Sequence, residues 1–337
     1  MRIVTYPPLL STVCVLIVKT IQKFAAGRHS SAHYSIIRAC SRSSTYMSKN
    51  TSTSSNLPNN PSAPAKFDLS LSELKDMAKK LRRHVITMIA KAGSGHPGGS
   101  LSAADIVTAL YFKALHHDPK NPRWSDRDRF VLSKGHAAPI LYAALAECGY
   151  FPVSELTTLR SLNQRLQGHP DRTCTPGVEN STGSLGQGLS IGVGVALNAR
   201  LDRKAYRVYV LLGDGECDEG QVWEAAMAAA HFRLDNLVAI IDHNKQQIDG
   251  WNRDIMNIEP LGDKWCSFGW HVIETEGHNV GDIIAALEAA SQIKDQPTMI
   301  IAHTIKGKGV SFMERNLEFH GKAPTAQEAE RALKELS

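Results

Sequence analysis

The sequence predicts a doubly wound α/β fold, a mostly parallel sheet covered by helices on both faces. The 337 residues are 42% hydrophobic and 21% charged, the composition of a globular protein able to bury a substantial core. Apolar runs such as 206–212 and 237–242 lack the period-two alternation of a half-solvated sheet, so both of their faces are expected to be buried. Most of these runs are followed by a stretch of helical periodicity, the order that builds parallel sheets.

Order is expected from about Ser70, where Ser70 and Glu73 have the spacing of a capping box. Leu74, Leu81, Val85, Met88 and Ile89 then recur at helical spacing up to a stop at Gly93. A strand over 129–133, a helix over about 136–148 and a Gly-rich helix over about 186–201 follow. Next come a strand over 206–212, an Ala-rich helix over 219–232 and a strand over 237–242. A strand over 271–275, a helix over 280–291 and a strand over Thr298–His303 complete the series. No internal repeat and no second domain are evident, so 67–337 is read as one domain. Ligands in such sheets lie beyond the carboxyl ends of the strands, which is where chemistry is to be sought.

Charge separates the chain in two. Residues 1–67 carry eight Lys or Arg and no acid, whereas the remainder holds 30 basic against 33 acidic residues. The net charge of +5 therefore belongs to the extension, and no nucleic-acid surface is implied for the body. Six scattered cysteines without a CxxC pair fit free thiols in a reducing, cytoplasmic setting. The apolar run 9–18 is too short to span a bilayer, so no membrane segment is expected. The Arg- and Ser-rich stretch 1–46 reads as an organelle transit peptide, a secretory signal, or an unused start upstream of Met47, the last being favoured. The Ser/Thr/Asn/Pro tract 51–65 reads as a disordered linker.

Gly213-Asp214-Gly215 ends one apolar strand, and Asn244 follows the next. One intervening helix makes a right-handed crossover, which brings Asp214 and Asn244 to the same rim of the sheet. A carboxylate and an amide oxygen suit a hard cation such as Mg²⁺, which completes its shell with phosphate oxygens and water. Gly213 and Gly215 would let backbone amides approach those phosphates. A dinucleotide site is disfavoured, because Gly186-Gln187-Gly188 lacks the third glycine of that fingerprint.

Gly213-Asp214-Gly215, 28 residues, then Asn244-Lys245 resembles the signature by which thiamine-diphosphate enzymes hold the Mg²⁺-diphosphate end of their cofactor. Gly95-His96-Pro97-Gly98, Ser133-Lys134-Gly135-His136-Ala137, Gly168-His169-Pro170 and Thr182 to Gly188 stand in the order found in transketolases. The resemblance covers 71–324 and is to the amino-terminal, diphosphate-binding half, the PP-type domain, in the two-chain form. It implies that His136, Gly183, Gly215 and His320 meet thiamine diphosphate. Asp214, Asn244 and the carbonyl of Gln246 are implied to hold Mg²⁺, with Ca²⁺ or Mn²⁺ able to substitute. Leu185, Ile248 and Ile305 resemble residues lining the thiazolium. His96 and His169 would meet sugar hydroxyls, and Glu219 resembles an acid linking two subunits. An additional loop histidine of the single-chain enzymes has no match.

The activity implied is transfer of a two-carbon ketol unit between sugar phosphates in pentose phosphate metabolism. The family's pyrimidine pocket and its activating glutamate belong to a second α/β domain, and only 13 residues follow Pro324. The expected partner is therefore a carboxy-terminal transketolase subunit, in a heterotetramer, with an apolar face around 219–232 covered by another chain. Other readings are the α-type subunit of a 2-oxoacid dehydrogenase, a deoxyxylulose-phosphate synthase, a non-catalytic cofactor-binding subunit, and a sugar-binding module without thiamine.

Overall fold

A computed structural model describes Phe67 and residues 69–337. The extension and linker expected over 1–66 lie outside the described residues. Five strands form one parallel sheet: β1 (Arg129–Leu132), β2 (Val208–Gly213), β3 (Leu237–His243), β4 (His271–Glu276) and β5 (Thr298–His303), in the order β1-β2-β3-β5-β4. All adjacent pairs are parallel, as the continuous apolar runs require.

Helices pack on both faces, and alternate residues of each strand serve opposite layers. Phe130, Leu132, Tyr209, Leu211, Val238 and Ile240 face a core built with α1 (Leu71–Ala92), α3 (Ala104–Ala109), α4 (Ala138–Cys148) and α9 (Val280–Gln292). Val131, Val208, Val210, Ala239 and Ile241 face the other, built with α5 (Gln187–Leu201), α6 (Gly220–His231) and α8 (Leu261–Ser267). The edge strand β4 is only half-buried, as its mixed sequence HVIETE allows.

The capping box forms at Ser70 and Glu73, and Gly93 ends α1 in the left-handed conformation at φ 63°. Most boundaries agree with the sequence reading to within a residue or two. His136 is an exception, lying in a 3-10 turn over Gly135–Ala137 ahead of α4 rather than inside the helix. Strand β2 starts at Val208, because Tyr206 and Arg207 precede the ladder. Sequence periodicity did not disclose α2 (Pro97–Ser102), α3, the π-turn over Leu110–Ala114, α7 (Asn252–Ile255), α8 or α10 (Ala326–Glu335). No helix of the described residues is long and apolar enough to cross a membrane.

Candidate active site

Strands β2 and β3 are neighbours in the middle of the sheet, with Gly213 opposite Asp242. The two chain segments leaving them therefore emerge side by side, and Asp214 and Asn244 reach the same cavity, about 300 Å³ in volume. Its wall includes His96, Lys134, His136, Gly183, Leu185, Gly215, Gln246, Ile248, Lys306 and His320. Ten of the thirteen residues that the resemblance assigns to the site thus converge, from segments as far apart as 96 and 320. Three stand off it. His169 sits behind His96, ring centroids 6.5 Å apart, while Ile305 immediately precedes Lys306 in the chain. Glu219 is exposed at the N-cap of α6.

Asp214 is buried and paired only with backbone: Oδ1 accepts from the Gly215 N–H at 2.8 Å, and Oδ2 accepts from the Lys245 N–H. Burial, then the nearby Asp242 carboxylate, push its pKa up to about 7. The Asn244 side-chain oxygen accepts from the Gln246 N–H at 3.2 Å, and its amide nitrogen donates to Asp242 at 3.3 Å. That second bond fixes which end of the amide is oxygen. The Gln246 carbonyl accepts from Lys306 Nζ at 3.0 Å.

The glycines act differently from the expectation. The Gly213 N–H donates to Glu216 Oε2 at 2.9 Å and the Gly215 N–H to Asp214, so neither amide is left over for a phosphate. Close approach is instead needed at Gly135, where a Cβ would lie 2.7 Å from the Gly183 nitrogen. That contact brings the His136 turn against the segment carrying Leu185.

Four side chains that the sequence reading left without a role complete the site. Lys134 is 1% exposed and donates to Asp242 and to the Gly99 carbonyl at 3.0 Å. Burial opposes the charge of Asp242, but the Lys134 ammonium and hydrogen bonds from Lys134, Ser102 and Thr304 outweigh it and hold its pKa below the ordinary value. Glu216 receives Ser133 Oγ, the Gly186 N–H and the Gly213 N–H, tying three segments together. Lys306 donates to the Gln246 carbonyl and pairs at 2.7 Å with His320 Nδ1. Burial, then Lys134, lower its pKa to about 8. Lys134 lies in the Ser133-Lys134-Gly135-His136 motif and Lys306 directly follows Ile305, but spacing does not tell which way a lysine points.

The imidazoles form a cluster. His96, His136 and His320 have ring centroids 5.4–5.6 Å apart. Burial, followed by neighbouring cations, lowers His96 to about 4 and His320 to about 3, and moves His136 and His169 down as well. All four are neutral near pH 7, able to donate or accept a hydrogen bond. His96 Nδ1 is buried without a hydrogen-bond partner among the described residues.

The family described as "Transketolase, thiamine diphosphate binding domain" matches residues 73–337. The chain is 48% identical over 264 residues to the 6-deoxy-6-sulfo-D-fructose transketolase subunit SqwG of Clostridium sp. (strain MSTE9), covering 78% of this chain and 96% of that protein. The chain belongs to the transketolase family.

Another member, one of the subunits of the apulose-4-phosphate transketolase of Phocaeicola vulgatus, is 43% identical over 264 residues, 78% of this chain and 94% of its own length. The transketolase of Homo sapiens is 44% identical over 271 residues, but they make up only 42% of that protein. A crystal structure of the transketolase from Campylobacter jejuni superposes with a TM-score of 0.76 at 35% identity, over 80% of this chain and 43% of that one. This chain therefore spans less than half of the human and Campylobacter transketolases, and nearly all of the proteins named as subunits.

The cavity fits the cofactor that the family description names. Lysine ammonium groups and neutral imidazoles line it, and Leu185 and the 65% exposed Ile248 add apolar surface. A diphosphate needs the first and an aromatic ring the second. A divalent cation fits as well, since Asp214 is buried without a lysine or arginine bonded to it, beside the oxygens of Asn244 and Gln246. Among the described residues no three His, Cys, Asp or Glu side chains form a metal cluster, so neutral oxygens and the ligand's phosphates would complete the shell.

Proposed function

We propose that this chain is the diphosphate-binding subunit of a two-chain transketolase, moving a two-carbon ketol unit from a ketose phosphate to an aldose phosphate. The observation that carries this reading is the convergence of Asp214, Asn244, Lys306, His136 and His320 on one cavity at the carboxyl ends of β2 and β3. Bound thiamine diphosphate supplies a nucleophilic thiazolium carbon and an electron sink for carbon–carbon cleavage. Asp214, Asn244 and the Gln246 carbonyl would hold Mg²⁺, with Ca²⁺ or Mn²⁺ able to replace it. Lys306 would neutralise the diphosphate, and the uncharged His136 and His320 would orient it by hydrogen bonds, with Gly183 and Gly215 in its wall. Leu185 and Ile248, and by the resemblance Ile305, would keep water from the thiazolium. Neutral His96 and His169 would hold the sugar hydroxyls and take or return a proton as the ketose carbonyl forms.

The domain proposed spans 67–337, with 1–66 as an extension, and the compartment proposed is the cytoplasm. A carboxy-terminal transketolase subunit would supply the pyrimidine pocket and activating glutamate, in a heterotetramer. The exposed Glu219, Met227 (56% exposed) and Phe232 (46%) on and beside α6 favour a covering subunit there. A pentose-phosphate donor is the first choice of substrate. The relatives' names make 6-deoxy-6-sulfofructose and apulose 4-phosphate the competing ones. The chain co-expressed with a transketolase carboxy-terminal subunit is expected to transfer a ketol unit from xylulose 5-phosphate to ribose 5-phosphate. Turnover of only the sulfonated or branched sugar would move the substrate while keeping the reaction. Loss of all three, with release of acetyl or deoxysugar product from pyruvate, would sink the reading.

A further inference from the structure

Three side chains outside the cavity wall, Arg82 and Asp105 buried and His278 half-buried, are joined in series. Arg82 of α1 forms a two-pronged pair with Asp105 of α3, and its Nε donates to the Leu101 carbonyl at 3.3 Å. Asp105 Oδ2 also lies 2.9 Å from Nδ1 of His278, which follows β4. On the other side of the ring, the Ile305 N–H points at His278 Nε2 from 2.7 Å. A backbone N–H can only donate, so Nε2 is the acceptor and the ring proton sits on Nδ1, directed at the carboxylate. The series has one consistent protonation pattern: Arg82 donates to Asp105, His278 donates to Asp105, and Ile305 donates to His278.

The place where this series ends gives it a function. Gly277 adds one rung to the β4–β5 ladder, its N–H donating to the His303 carbonyl at 2.8 Å. A Cβ on Gly277 would lie 2.4 Å from Thr304 Cγ2, so the two segments touch only because that residue is glycine. Immediately after Ile305 comes Lys306, whose ammonium lies in the cavity against His320 and the Gln246 carbonyl. The Gly307 N–H is likewise tied, donating to the Gly98 carbonyl at 3.0 Å. Lys306 is therefore suspended between two anchored backbone positions, and His278 is one of the anchors.

We propose that His278, set in its tautomer by Asp105 and Arg82, is a positioning residue that holds the Ile305–Lys306 backbone so that Lys306 is presented to the diphosphate. This inference rests on the thiamine-diphosphate reading above. His278 touches neither cofactor nor substrate. It acts through the hydrogen bond it accepts from Ile305.

The test uses the full chain, wild type, His278→Gln and His278→Leu, titrated with thiamine diphosphate in excess Mg²⁺ by calorimetry, alongside amide exchange at Ile305. Glutamine offers an oxygen that can take the Ile305 N–H, whereas leucine offers none. His278→Leu is expected to weaken cofactor binding about five- to tenfold, the worth of one buried hydrogen bond, with faster exchange at Ile305, and His278→Gln to restore much of both. Wild-type affinity in His278→Leu, or equal loss in both variants, overturns the proposal. Should His278→Leu not fold, ¹⁵N-histidine spectra of the wild type decide: a proton on Nδ1 of His278 is expected, and one on Nε2 overturns it. A wild-type chain that binds no cofactor even with a transketolase carboxy-terminal subunit present defeats the thiamine reading itself, while the histidine spectrum still reports on the series.

Discussion

His96, His136, His169 and His320 are imidazoles held uncharged mainly by burial, and their neutrality links stability to pH. His96 and His320 titrate near 4 and 3 in the folded chain instead of 6.5. The unfolded chain therefore binds more protons between those values, so the stability these groups confer is complete above 6.5 and is lost as pH falls toward 4. Asp214 and Glu216, pushed up by burial, work in the opposite direction, so the comparison must be made against a variant. The urea midpoint of the wild type is expected to change less favourably from pH 7 to pH 5 than that of His96→Gln/His320→Gln. Equal changes would show that the rings are solvated and charged. At this scale the sequence was informative where a motif carried a chemically committed side chain, as with Asp214, Asn244 and the histidines. It was silent on Lys134, Glu216 and Asp242, whose importance comes from being buried against one another. Burial of a charge is a tertiary fact: Asp242 is 0% exposed because Ser102, Lys134 and Thr304 converge on it from three other segments.

Helix α5 shows how elements were read and where reading stopped. Its sequence reads as a Gly-rich helix, but two of its glycines have opposite meanings. A Cβ on Gly188 would lie 2.3 Å from Ser133 Oγ and 2.7 Å from Ser133 Cα, whereas one on Gly194 meets nothing within 4 Å. Alanine gains up to ~1 kcal/mol of helix propensity at either site. At Gly188 the contact reaches backbone, so overpacking of about 1–3 kcal/mol wins. Gly188→Ala is expected to lower the melting temperature and Gly194→Ala to raise it; the same sign in both would remove the close approach of α5 to the end of β1. The helices missed by periodicity have local causes. α2 contains Gly98 and Gly99 and is buried throughout, so propensity and amphipathic pattern are both absent, and Pro97 at its start is the one cue. α10 carries a capping box, Thr325 with Glu328, that was legible and passed over.

For the described domain as a whole, the doubly wound architecture followed from strands apolar on both faces, and the location of the site followed from the architecture. Strand order did not. Nothing in the residues of β4 and β5 says that β5 inserts between β3 and β4, and it is that insertion which brings Thr304 and Lys306 beside Asp242 and Gln246. The central claim is that the rim of β2 and β3 holds a Mg²⁺-linked diphosphate through Asp214. Calorimetric titration of the full chain with thiamine diphosphate, with Mg²⁺ and with EDTA, for wild type and Asp214→Ala, tests it most directly. The account predicts saturable binding by the wild type that needs Mg²⁺ and at least a hundredfold loss, about 2.7 kcal/mol, in Asp214→Ala. Undiminished binding by Asp214→Ala, or binding indifferent to Mg²⁺, would contradict it.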